Sequence, residues 1–319
     1  MRQKLDKLCL YVLDIILIFS IMIGVSVVHA ESPSTIETVA DVIDFNIDLN
    51  SKIDLYDNNE NIIAHFYQSQ SMGYLIVDAK TNRPIEYSNE TNRDFFSNQE
   101  QKFYYGGPFM YFVEENETQL RGVMNEIIDK AELDFSVDST EFNPNNMRKV
   151  ETRALTRTTY TPRNYSYNPN YICASTASAI LLMYYNDYVN QAYVPTSYES
   201  TGTGEKTVKY LVPYINPNNR GATISEIRTG LNKYLKDRGL TQSATTLAKS
   251  EVQLPIASNR PGIMLISNHP KYGNHAVVAY GYNRYVEGTD TIYMIMVVDG
   301  WGSTGVYVDR NYSTGGVRI

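Results

Sequence analysis

The chain has 319 residues, a formal net charge of −7, two cysteines and one tryptophan. Two cysteines rule out a disulfide-stapled scaffold, and the length allows two domains. Residues 31–147 carry a net charge of −15 and residues 148–319 a net of +7, but the basic charges are dispersed and no binding motif accompanies them, which argues against a nucleic-acid partner.

Residues 1–30 read as a secretory signal. Arg2, Lys4 and Lys7 form a basic start, residues 15–28 are uncharged and mostly apolar, and Val28, His29 and Ala30 supply a small-residue cleavage site. The 14-residue apolar run is shorter than the roughly 20 residues a spanning helix needs. The expectation is therefore a secreted, extracellular protein with no membrane attachment once the signal is cut. Cys9 leaves with the leader, and Cys173 remains as a free thiol in an oxidising compartment.

Residues 31–147 read as an acidic α+β domain. Residues 73–77, a turn at Asn82, Arg83 and Pro84, and residues 85–88 form a hairpin pattern. Leu120, Val123, Met124, Ile127, Ile128 and Ala131 follow helical spacing behind a cap at Asn116. His65 sits in an apolar run and reads as a strand residue. The basic stretch 148–163, within a Pro-, Asn- and Thr-rich segment, reads as an exposed linker where proteases can cut. Halves of opposite sign attract, so the acidic domain is expected to dock on its basic neighbour.

In residues 164–319, a helix of small and apolar residues opens at Cys173. A short helix is expected around Val208, and another behind the capping box Thr223-Ile224-Ser225-Glu226. Strands follow at 262–266, 275–280, 292–298 and 306–308. Helices first and an antiparallel sheet afterwards indicate an α+β fold.

The chemistry concentrates in three places. A cysteine opening a helix faces unpaired amide groups, which favour its thiolate. His275 heads a strand at the mouth of a loop, where it can serve as general acid and base; the bland alternative is a core histidine. Asp299 ends a strand and can orient that histidine, or simply shape a turn before Gly300. Trp301 would cover the contact. A zinc site built from Cys173, His269, His275 and Asp299 lacks metal-ligand spacing, so no metal or organic cofactor is implied. Cysteine, histidine and aspartate in that order point to a cysteine peptidase.

These residues resemble the papain-like cysteine peptidases, especially the bacterial secreted branch around streptopain and the bacteriocin-processing peptidases. The resemblance rests on Cys173 in Tyr171-Ile172-Cys173-Ala174-Ser175-Thr176, on His275 with the following Gly281-Tyr282, and on Asp299-Gly300-Trp301-Gly302, which is similar to the family's Asn-Ser-Trp-Gly turn. It covers roughly residues 160–319. It implies a central helix packed on an antiparallel sheet, a peptide or protein substrate, a Cys173–His275–Asp299 triad and, more loosely, a zymogen whose residues 31–147 are an intramolecular pro-domain. The family's oxyanion glutamine, about six residues before the cysteine, has no counterpart, because no Gln occurs between Gln119 and Gln191. Asn168 is the nearest substitute donor. That departure keeps open a catalytically weak or inactive binding protein on a peptidase fold. A cell-wall amidase using the same Cys/His pair is a further alternative.

Overall fold

In the computed structural model, which describes residues 35–57, 59–97, 101–113, 142–155, 162–169, 171–218, 220–269 and 273–319, the apolar runs of the N-terminal region become strands. After helix α1 (Thr35–Val42) come β1 (Ile53–Tyr56), β2 (Ile62–Gln68), β3 (Tyr74–Asp78), β4 (Pro84–Ser88), β5 (Phe103–Tyr105) and β6 (Tyr111–Val113). The expected hairpin is β3 and β4, with Asn82 in the left-handed conformation at its turn. His65 lies in β2, with Nδ1 2.8 Å from Asp54 Oδ1. Burial, with Lys52 nearby, pulls its pKa down. The expected helix at 120–131, its cap at Asn116 and the signal segment lie outside the described residues.

The C-terminal region begins with β7 (Met147–Ala154) and continues through helices α2 (Cys173–Tyr188), α3 (Glu205–Ile215) and α4 (Ile224–Asp237), then β8 (Thr245–Leu247) and the short α5 (Leu254–Ala257). It ends in β9 (Gly262–His269), β10 (Gly273–Glu287), β11 (Asp290–Val298), β12 (Val306–Asp309) and β13 (Ser313–Arg318). The Thr223–Glu226 capping box is formed and starts α4, whose Ile227, Leu231, Tyr234 and Leu235 are buried. Residues 173–186 of α2 are all buried. Its small side chains let it pack closely against β9, β10, α3 and α4, as a central helix must.

The architecture is mixed α+β, with one large sheet. Its path runs β6-β5-β1-β2-β3-β4-β12-β11-β10-β9-β13-β8, and β7 pairs with β10 beyond the end of β9. Two corrections to the expected organisation follow. Residues 148–154, expected as exposed linker, are β-ladder: Arg148 to Ala154 lie opposite Val286 to Gly281. Gly281 makes room for this pairing, since a Cβ there would come within 3.0 Å of the Arg153 carbonyl oxygen. The N-terminal region is also joined to its neighbour by more than charge. β4 pairs antiparallel with β12, Tyr87 stacks on Tyr307 with centroids 4.7 Å apart, and the Arg83 guanidinium meets buried Asp309 at 2.9 Å. One apolar cluster unites Leu55, Phe66 and Ile76 with Ile295, Val306 and Val308.

Candidate active site

Cys173 is placed by an irregular turn. Tyr171 adopts φ +69°, a left-handed conformation that costs a bulky residue energy. Its carbonyl is held by the amide of Asn216, a buried side chain at the end of α3. Ile172, which precedes α2, offers no side-chain cap. Thr176 ties the first turn down instead, its hydroxyl donating to the Tyr167 carbonyl at 2.9 Å. The amide groups of Cys173 and Ala174, left without helical partners, serve the Cys173 sulfur.

A third amide reaches the sulfur from the sheet. The N–H of Ala276 hydrogen-bonds to it from β10, one residue after His275. Strand register thus brings together residues more than 100 positions apart in sequence. Cys173 is nevertheless only 6% exposed, and burial pushes the thiol pKa up, against the pull of these amides. The helix-start position alone had suggested a depressed pKa; with the site covered, desolvation wins.

His275 is fully enclosed. Its Nε2 lies 2.9 Å from the main-chain carbonyl oxygen of Asp299. A carbonyl only accepts, so Nε2 carries the proton, and in the neutral ring Nδ1 is the basic nitrogen. Trp301 stacks on the imidazole, with centroids 3.9 Å apart and planes 5° apart, fixing the ring's orientation. Trp301 is itself 40% exposed, so it screens one face of the ring without sealing the site.

Asp299 is at the site, but its carboxylate is engaged differently from the expectation. Oδ1 accepts from the main-chain N–H of Trp301 at 2.8 Å and of Ser303 at 3.0 Å. Those bonds close the 299–303 turn, in which Gly300 and Gly302 have φ of +78° and +104°. Among the described residues Oδ2 has no hydrogen-bond partner, and it lies 3.8 Å from Arg93 Nη1. The carboxylate shapes the turn, and the turn presents its backbone carbonyl to the imidazole.

Asn168 sits between this turn and the start of α2. A Cβ built on Gly300 would meet the Asn168 amide nitrogen and the Thr176 methyl, each at 3.4 Å. Asn164 anchors the same loop by donating to the Gly302 carbonyl at 2.7 Å. The side chain of His269 lies outside the described residues. Among the described residues, no group of three His, Cys, Asp or Glu side chains is placed to hold a metal ion.

Three contributors come from the N-terminal region and were not foreseen. Phe109 packs near the imidazole and the indole, with centroid distances of 6.0 and 6.4 Å. Arg93 reaches Asp299 and also donates to Ser303 Oγ at 3.4 Å. Glu86, fully buried in β4, accepts from the hydroxyls of Tyr74 and Tyr111, from Phe109 N–H at 3.0 Å and from Arg93 Nη2 at 3.4 Å. Burial first, and Glu86 next, push both tyrosine pKa values well up, so the phenols stay protonated as donors.

Residues 157–316 match the model of the Peptidase_C39 like family. The chain belongs to that family. It is thereby a relative of the papain-like cysteine peptidases, and its C-terminal part is a C39-like domain preceded by a β-rich region. A comparison with curated proteins found no match.

Proposed function

We propose that this C39-like chain is a secreted cysteine peptidase of the streptopain type, made as a latent precursor that hydrolyses peptide bonds once uncovered. Cys173 is the nucleophile and His275 the general acid and base. His275 Nδ1 takes the thiol proton, and the thiolate attacks the substrate carbonyl. The Cys173 N–H and the Asn168 amide hold the developing oxyanion. The imidazolium then protonates the leaving amine, and a water molecule, deprotonated by His275, hydrolyses the thioester. The Asp299 carbonyl keeps the proton on Nε2 throughout, and Trp301 keeps the ring in plane.

The observation that carries this reading is the sulfur of Cys173 at the start of a buried helix, hydrogen-bonded to the residue that follows His275. The latent state is supported by the burial of Cys173 and by Phe109 lying against the His275–Trp301 stack. The test is hydrolysis of an unfolded, fluorescently labelled protein, before and after proteolytic removal of the N-terminal region. Activity should emerge on removal, vanish in Cys173→Ala and fall at least about a hundredfold in His275→Ala. If Cys173 becomes labelled by an epoxysuccinyl probe yet no protein or peptide is cut, the protein is instead a binder on a peptidase fold. The absent glutamine favours that second reading. Cleavage of cell-wall peptides alone would point to the amidase.

A further inference from the structure

A buried carboxylate with four donors is an expensive feature, and Glu86 lies at no reacting atom. Its partners show what it organises. Phe109, whose ring lies against the imidazole and the indole, is held in the left-handed conformation (φ +65°) with its N–H on Glu86 Oε2. Arg93, the counter-charge beside Asp299 Oδ2, is held from the other side by Glu86 Oε1. The guanidinium carbon lies 5.4 Å from the Phe109 ring centroid and 5.0 Å from that of Tyr74. One carboxylate therefore fixes both pieces of the N-terminal region that meet the site, one apolar and one cationic.

We propose that Glu86 is the latch of the latent state: through Phe109 and Arg93 it holds the N-terminal region closed over the Cys173–His275 pair and keeps the Asp299 carboxylate engaged. This rests on the reading of the chain as a latent peptidase and names the device that maintains latency. Neutralising Glu86 removes the acceptor that positions the Phe109 backbone and the charge that fixes Arg93. The cover then opens without any peptide bond being cut. Arg83 joins the same two regions through Asp309, at 2.9 Å, without touching the site. It separates a specific latch from general loosening.

The experiment measures the rate of Cys173 alkylation by iodoacetamide in the intact chain. Glu86→Gln should raise that rate at least about tenfold, the factor that loss of one charge-assisted hydrogen bond supplies. Arg83→Gln should leave it within about twofold, because local openings are independent where no contacts are shared. An unchanged rate in a cooperatively melting Glu86→Gln protein overturns the proposal, as does an equal acceleration in Arg83→Gln. Should Glu86→Gln fail to melt cooperatively, Phe109→Ala decides. It removes the cover and leaves the Glu86 bonds in place, so a faster rate supports the latch and an unchanged one overturns it. Alkylation needs no turnover. A chain with a working latch and no hydrolysis therefore fails only the peptidase reading.

Discussion

At the scale of single residues, Asp299 separates what a sequence conveys from what it does not. Cys173 and His275 stand out in the sequence because each lies near an element boundary, Cys173 opening α2 and His275 two residues into β10. Asp299 is readable as part of the site, but not the atom it uses. Whether the carboxylate or the carbonyl meets the imidazole depends on the 299–303 turn, where Oδ1 is already committed to two N–H groups. Asp299→Asn keeps an acceptor oxygen for those groups and leaves the carbonyl in place. On the proposed peptidase reading, kcat after removal of the N-terminal region is expected to stay within about tenfold of wild type, whereas the same change costs about 10⁴ where a triad depends on the carboxylate. Steady-state kinetics of the processed variant provide the measurement, and a loss near 10⁴ would return the orienting role to the side chain.

At the scale of elements, local signals foretold some structures and could not foretell others. The β3–β4 hairpin and α4 follow from a turn and a capping box, both contained within a few residues. β13, with its Thr314-Gly315-Gly316 run, has little intrinsic strand preference and forms because β9 and β8 pair on its two sides. β7 reads as linker because Arg148, Lys149, Glu151 and Arg153 make it polar, as suits a strand with an exposed face. The Tyr171 turn is likewise invisible locally, since its anchor is Asn216, 45 residues away. Asn216→Ala leaves the Tyr171 carbonyl without its donor and should cost about 1–3 kcal/mol, read as a lower urea midpoint at unchanged slope. It should also slow Cys173 alkylation in the uncovered domain, by releasing the turn that sets the first residue of α2. A variant destabilised to that extent with an unaltered alkylation rate would show that the turn does not position the thiol.

At the scale of the whole molecule, the opposed charges of the two halves suggest an electrostatic dock, yet the contact adds to its ion pairs a ladder, a ring stack and shared apolar burial. The β4–β12 ladder, the Tyr87–Tyr307 stack and the shared apolar cluster carry it. No run of sequence reveals that two hydrophobic sets more than 200 residues apart will pack together. The distinction has a measurable consequence. Surface charge attraction is screened within about 3 Å at 1 M salt, but apolar burial and ladder hydrogen bonds persist. A chain nicked between residues 155 and 162 should therefore remain a single species on size-exclusion chromatography in 1 M sodium chloride, with Cys173 still slow to alkylate. Separation of the two pieces as salt rises would instead make charge the adhesive. On the proposed latent-peptidase reading, pieces that stay together leave the protein inactive after a single cut, because Glu86, Arg93 and Phe109 remain seated on the site. Activation then requires digestion of the N-terminal region itself, or an event that releases its hold.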